Sequence, residues 1–343
     1  MKRIFLWGSI SVLGIMLVVA SAAFWVWRDA QSVLDTPINL VEGPEQFEIN
    51  RGASLATIAR NLRDRGWLAN EHYLRLEARR LKIGGGLQAG LYEVTEGSTP
   101  RQLLRLFVSG EVKVFQITFI EGTTFREIRK VLASNDNLKS TITDKDAVWI
   151  AGQISADLTN IEGQIFPATY YFSHGERDID ILRRAHTRMR ELLESEWQGR
   201  AAELPYASPY DALIMASIIE KETGAESERA QISGVFARRL KFGMKLQTDP
   251  TVIYGLGTAF DGNLRRVDLV ADTPYNTYTR HGLPPAPIAM PGAASIEAAL
   301  HPATGSYLYF VGKGDGSHQF SINLKDHNAA VRRYQLKPRR SER

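Results

Sequence analysis

Glu220 and Glu222 stand two residues apart in DALIMASIIEKETG (residues 211–224), and the spacing separates their roles. The stretch holds no proline, and no glycine before Gly224, which suits the left-handed position just past a helix end. At about 100° per residue, Leu213, Ile214, Met215, Ile218 and Ile219 share one broad apolar face. Glu222 follows Ile218 by four residues and Ile219 by three, inside that stripe. Glu220 lies roughly 160° round the helix, near Ala216 and Ser217, and turns to solvent or a polar layer. A carboxyl carried into apolar surroundings resists ionisation, because desolvation penalises the charged form. Such a group can hold its proton near neutral pH and act as a general acid. The same placement suits a buried, hydrogen-bonded structural glutamate, and the pattern alone leaves both readings open.

Other chemistries find little support. The chain has no cysteine, which excludes disulfides, thiol nucleophiles and cysteine-ligated zinc. His281, His301, His318 and His327 are not spaced four apart, as a helical zinc pair would be. There is no Gly-x-Ser-x-Gly elbow, Ser-x-x-Lys set, phosphate loop or dinucleotide fingerprint, so no metal or cofactor is expected. With 343 residues, 44% hydrophobic and 23% charged, there is room for two cored domains besides an anchor. The net charge of +4 lies partly in a basic tail, KPRRSER (337–343), which is solvated or touches anionic lipid or wall polymer. Basic and aromatic residues are not interleaved, so no nucleic-acid partner is expected.

The elements that must position the glutamates follow from the N-terminus. Lys2 and Arg3 precede an uncharged, mostly apolar run over 4–27. Its ~24 residues reach ~36 Å as a helix, enough for a ~30 Å hydrocarbon core with some tilt. Trp25 and Trp27 sit where an interfacial aromatic belt would be. Ala20-Ser21-Ala22 would suit signal cleavage, but the apolar run continues past it, which favours a retained anchor. The leading positive charges place the N-terminus in the cytoplasm and everything after Arg28 outside. Residues 29–45, with Pro37, Gly43 and Pro44, read as a spacer.

A repeat follows: RGASLATIARNL (51–62), EGSTPRQLLRLF (96–107) and EGTTFREIRKVL (121–132). Each predicts a turn at Gly52, Gly97 or Gly122 feeding a helix capped by Ser54, Thr99 or Thr124. Pro100 suits the first helical position, and Thr99 with Gln102 and Thr124 with Glu127 form capping boxes. Strand-like runs at 46–50, 90–95 and 112–120 precede them, giving one or two small α+β modules. Residues 140–163 are irregular, and 161–172 mix Gly, Pro and aromatics as a loop or cleft wall does. Helices are predicted over 179–197, 227–242, 295–300 and 323–334, with a strand over 306–311 and a hairpin turn over 312–320. Residues 273–292 carry five prolines, with Tyr275, Asn276 and Tyr278 near the start, as a binding loop would.

Several strings recur together along 220–311: EKETG, SER, LQTDPTVIYG, PYNTY, GLPPAPI, PGAASI, HPA and YLYFV. In this order they resemble the YceG-like endolytic murein transglycosylases, over nearly the whole chain. INRGASLATIA (49–59) resembles LysM peptidoglycan-binding modules; a scaffold of that fold without glycan contact fits equally. The resemblance implies an α+β protein with these parts: an N-terminal transmembrane helix (1–28), a linker (29–45) and a LysM-like α+β region (46–135). A mixed α/β catalytic domain with a helix-borne glutamate (136–336) and the basic tail (337–343) complete it. It implies a bacterial inner-membrane location with the body in the periplasm, peptidoglycan glycan strands as substrate, and peptidoglycan synthases as partners. Glu222-Thr223 resembles the Glu-Ser pair of lytic transglycosylases. The resemblance further implies a cleft lined by Gln247, Tyr254, Tyr275, Asn276 and Tyr278, with Glu162 and Tyr170 on another wall.

That chemistry needs one acid. Glutamic acid protonates the oxygen bridging MurNAc to GlcNAc, and its carboxylate then takes the proton of the MurNAc C6 hydroxyl, which closes on C1 as 1,6-anhydroMurNAc. Ordinary glycosidases need two carboxylates; a muramidase pairing Glu222 with Asp249 or Glu220 therefore stands as an alternative, although Asp249 before Pro250 reads first as a turn residue. A non-enzymatic wall-binding scaffold is the third reading. The topology is checked by fusing reporters after Arg343: one that works only outside the cytoplasm should be active, and the chain should keep its apolar run. A mature N-terminus near Ala23 would contradict the anchor.

Overall fold

The computed structural model describes residues 2–40, 43–83, 86–222 and 224–336; Thr223 and the basic tail 337–343 lie outside the described residues. The chain forms two compact units: Met1–Phe115 with Ser173–Gly175, and Gln116–Phe172 with Glu176–Arg343.

The first unit begins with helix Lys2–Asp35. Its stretch Leu13–Asp35 is long and apolar enough to cross a membrane, and Leu17, Phe24, Trp25 and Trp27 are exposed. Beyond Arg28 the expected spacer is corrected. The helix runs on to Asp35, and Ala30, Leu34 and Ile38 are buried. Leu34 and Ile38 join Phe47, Leu104 and Phe107 in one core. Asp29 accepts the Tyr73 hydroxyl at 2.6 Å, and Asp35 pairs with Arg101 at 2.7 Å. One helix therefore carries both the long apolar stretch and, at Leu34, a residue of the module core.

The order that follows is strand, helix, helix, strand. Strands Glu45–Ile49 and Gly90–Val94 pair antiparallel, from Glu45 opposite Val94 to Ile49 opposite Gly90. Between them lie helices Leu55–Asp64 and Glu71–Arg80, the second of which the sequence pattern did not reveal. Helix Pro100–Ser109 closes the unit. The local chemistry is as expected: Ser54 caps Thr57 N, and Thr99 with Gln102 completes a capping box with Pro100 in the first turn. Gly52, Gly97 and Gly122 all take left-handed φ, at 80°, 81° and 74°, which explains glycine at that place in each repeat. The third repeat helix, Phe125–Ala133, belongs to the second unit and carries the Thr124–Glu127 box.

The second unit is organised on helix Pro209–Glu222. Every residue from Ala212 to Ile219 is buried, so the helix is apolar on all sides rather than along the single stripe expected. Helices Asp178–Gln198, Arg229–Lys241 and Ala293–Leu300 surround it. Ser217, inside this core, donates to Ile214 O at 2.7 Å and accepts Ile288 N at 3.0 Å, which fixes the proline-rich segment against the helix. Strands occur only in pairs: four two-stranded sheets among the described residues, including the hairpin Tyr309–Gly312 with His318–Ser321. The fold is thus α+β, with its second core built by helices.

Two other expectations change. The irregular stretch 140–163 contains helix Ala147–Ile154, capped by Asp146 on Trp149 N at 2.7 Å. Asp249 is not in a turn but opens helix Asp249–Leu256, where Pro250 needs no N–H partner.

Gly163 shows how tightly the second unit closes. Its φ is 77°, and a Cβ there would lie 2.4 Å from Pro287 Cβ. Gly163→Ala should therefore lose on the order of 2–4 kcal/mol, combining left-handed strain and overpacking. Gly243→Ala, at φ 61° with open space around it, should lose only the backbone part, about 1 kcal/mol. Thermal melts of both variants would show whether the two positions differ in that order.

Candidate active site

The two glutamates at the end of the buried helix go to different places. Glu220 accepts Gly292 N at 3.0 Å and the Ser295 hydroxyl at 2.7 Å, so it caps the N-terminus of helix Ala293–Leu300. A carboxylate there meets the positive end of the helix and two orphan donors. This is the polar layer expected for it.

Glu222 instead lines a cavity of about 470 Å³ with Gln247, Asp249, Tyr278, Arg239 and His318. The Thr248 hydroxyl donates to its Oε1. Thr248 is itself set by a buried cluster. Its N–H donates to Thr277 Oγ1 at 3.1 Å, its carbonyl accepts the Thr251 hydroxyl at 2.7 Å, and the hydroxyls of Thr251 and Thr277 lie 2.9 Å apart. Three threonines without exposed surface thus aim one hydroxyl at the carboxyl. Desolvation pushes the Glu222 carboxyl up to about 7, against the Thr248 hydrogen bond; the Asp249 charge adds to the rise and His318 opposes it.

The rest of the cavity is polar and held from behind. Gln247 has a left-handed φ of 54°, uncommon for glutamine, and its N–H donates to Thr277 O at 3.1 Å. The Tyr278 hydroxyl donates to Asp249 Oδ1 at 2.6 Å. Burial, first, and then Asp249 raise the Tyr278 phenol, so it stays a donor. Arg239 is buried, spends its guanidinium on Leu308 O and Leu246 O at 2.7 and 2.8 Å, and lies 5.0 Å from the Tyr309 ring centre. It ties the C-terminal hairpin to the loop that carries Gln247. His318 is oriented by Glu228, with Nδ1 2.7 Å from Oε2 and its backbone N–H on Oε1 at 3.1 Å. Sequence spacing missed Arg239, Thr248, Thr277 and His318, because they come from separate elements and meet only after folding.

The implied cleft residues divide. Gln247 and Tyr278 line the cavity of Glu222. Glu162 and Tyr254 line a second cavity, of about 490 Å³. There Glu162 accepts Phe125 N at 3.0 Å and the Tyr254 hydroxyl at 3.1 Å, and burial pushes its carboxyl up to about 7. Tyr275 lines neither of these two cavities and packs edge-on to Tyr254, ring centres 4.8 Å apart. Tyr170 is buried, its hydroxyl donating to Phe166 O at 2.7 Å. Asn276 is fully buried, with its amide on Ala271 O at 2.6 Å and its oxygen on Tyr278 N at 2.8 Å. These last two have their polar groups engaged with the backbone. Among the described residues no group of three or more His, Asp or Glu side chains could hold a metal ion.

A helix-end glutamate with a raised pKa in a polar cavity now meets its relatives. The model of the YceG-like family matches residues 47–333. The chain belongs to the YceG-like family. It is 33% identical over 305 residues to a Bacillus subtilis protein named endolytic murein transglycosylase, covering 84% of each chain. A Streptococcus pneumoniae protein of the same name is 26% identical over 281 residues, covering 71% of this chain; the chain spans about 50% of that relative's length. A solved yceG-like protein from Listeria monocytogenes matches with a TM-score of 0.50 and 28% identity, over 84% of this chain and 99% of that one.

Within this YceG-like fold the two raised carboxyls set a pH dependence. Glu162 and Glu222 titrate near 7 in the folded chain against an ordinary 4.5, so between those values the folded state binds more protons than the unfolded. Their contribution to stability is complete below about 4.5 and lost as pH rises through about 7. Glu162→Gln and Glu222→Gln should each lose less melting temperature than the parent between pH 5 and pH 8. Identical pH slopes in all three proteins would count against the burial of these carboxyls.

Proposed function

We propose that this chain is an endolytic murein lytic transglycosylase. In this reading it cleaves the MurNAc–GlcNAc bond within glycan strands and leaves 1,6-anhydroMurNAc ends. Membership of the YceG-like family and relatives named for that activity support the reading. The observation that carries the mechanism is Glu222: a carboxyl pushed up to about 7 and set in a polar cavity large enough for a sugar unit.

Glu222 holds its proton below neutral pH and in part at pH 7, and gives it to the bridging oxygen as the C1–O bond breaks. The MurNAc C6 hydroxyl attacks C1, and the Glu222 carboxylate takes its proton, which restores the acid. Thr248 serves both forms: its hydroxyl donates to the carboxylate and can turn to accept from the acid. Gln247 and Tyr278 supply an amide and a phenol to the same cavity, the groups that N-acetyl and hydroxyl recognition requires. Glu162, Tyr254 and Tyr275 are assigned to substrate contacts beyond the scissile sugar, with Tyr170 and Asn276 shaping the walls.

The strand–helix–helix–strand order of the first unit supports its assignment as a LysM-like, glycan-binding module. The exposed apolar helix before it supports a single-pass inner-membrane anchor, and Lys2 and Arg3 a periplasmic body. Peptidoglycan synthases are the partners this placement suggests.

One observation favours a second reading. Asp249 lines the cavity of Glu222, so a two-carboxylate muramidase has its partner there, whereas Glu220 is committed to its helix cap. Purified glycan strands separate the readings. The proposed enzyme yields anhydro ends, a muramidase yields hydrated reducing ends, and a scaffold yields neither. Glu222→Gln should lower the rate by ~10²–10⁴ or more, since one group serves two proton transfers. Glu220→Gln should act through stability and leave the chemistry largely intact. An active Glu222→Gln protein beside an inactive, well-folded Glu220→Gln protein would overturn the assignment.

A further inference from the structure

The second cavity has a chemistry of its own. Its apolar part includes Phe125, Ile142 and Ile161, all buried. Its rim carries Arg126 and Lys130, both exposed. Among the described residues neither side chain makes a hydrogen bond or salt bridge, in contrast to Arg129, Glu162 and Asp178 of the same cavity. Arg129 donates to Thr143 O at 3.1 Å and Lys145 O at 2.8 Å, which fixes the neighbouring loop. Asp178 accepts Thr141 N at 3.0 Å and Ile179 N at 2.7 Å. Glu162 is held by Phe125 and Tyr254. The nearby Glu127 is occupied in its capping box with Thr124.

Arg126 and Lys130 are four residues apart on helix Phe125–Ala133, one turn, so their Cβ atoms are about 5–6 Å apart. Two cations at that spacing above an apolar floor suit a short acidic ligand with small apolar side chains. One element joins this cavity to the first. Helix Asp249–Leu256 places Asp249 beside Glu222 and Tyr254 beside Glu162. Five residues rise about 7.5 Å along the helix axis and turn about 500° round it, so the two cavities flank different sides of one short helix.

We propose that the second cavity binds the acidic stem peptide of the glycan, alanine methyl groups on the apolar floor and carboxylates on Arg126 and Lys130. A muramyl sugar at Glu222 carries its peptide on the lactyl arm, and helix Asp249–Leu256 borders both cavities. The choice of a stem peptide, rather than another acidic peptide, rests on the transglycosylase reading. The cavity then makes the enzyme favour peptide-bearing strands over stripped ones.

The test uses the full chain in detergent and an N-acetylated stem tetrapeptide, with its carboxyl-amidated form as control. The parent should bind the acidic form and bind the amidated form several-fold more weakly. The double variant Arg126→Gln/Lys130→Gln should bind the acidic form about fivefold more weakly, the scale of two exposed charge pairs. Its preference for peptide-bearing over peptide-stripped strands, read as the ratio of kcat/KM values, should fall by a similar factor. Glu222→Gln should bind the tetrapeptide as the parent does. Equal tetrapeptide affinity in the parent and the double variant would overturn the inference, as would no binding by the parent. A parent that cleaves strands yet ignores their peptides defeats this inference alone. A parent that binds the peptide yet cleaves no strand defeats the transglycosylase reading alone.

Discussion

A helix buried on every side must still end somewhere polar. From Ala212 to Ile219 the helix Pro209–Glu222 gives nothing to solvent, and the helices around it are placed by that burial. Its last turn then carries two carboxyls out of the core in different directions. One meets the N-terminus of Ala293–Leu300, where two donors and the helix dipole hold it. The other meets a single threonine hydroxyl in a cavity. For Glu222 the loss of solvation outweighs that one hydroxyl and pushes the carboxyl up to about 7.

The site depends on polar clusters that are satisfied internally. Thr248, Thr251 and Thr277 exchange hydrogen bonds without solvent, Asn276 pins the proline-rich loop, and Arg239 holds the hairpin wall. Buried groups of this kind impose geometry because any displacement leaves a donor or acceptor unpaired. The backbone of Gln247 sits in the left-handed region next to Thr248, within the same braced segment. Local cost in one residue is tolerated where its neighbours over-determine the position.

Legibility from sequence varied with the range of the interaction. Caps at Ser54, Thr99 and Thr124 were readable because a cap spans only three residues. The turn glycines of the repeat were readable for the same reason, since φ is a property of one residue. Helix Ala147–Ile154 was missed because its apolar residues show no clear helical period, and Glu71–Arg80 because its charges dominate the pattern. The spacer after Arg28 was misread because Pro37 and Gly43 mark breaks, while Leu34 and Ile38 find their partners far along the chain. Asp249 was misread because Asp-Pro opens helices as readily as turns.

The amino-acid sequence by itself determined the long apolar N-terminal stretch, the capped helices, and the angular separation of Glu220 from Glu222. Each depends on residues within a few turns of one another, where period and side-chain type suffice. Only the tertiary structure decided what each glutamate meets, which cleft residues share a cavity with Glu222, and that Glu162 and Tyr254 line another. Those outcomes depend on hydroxyls, amides and ring faces brought together from strands and loops distant in the chain. Desolvation and hydrogen bonding are properties of that assembled surrounding, and no local pattern encodes them.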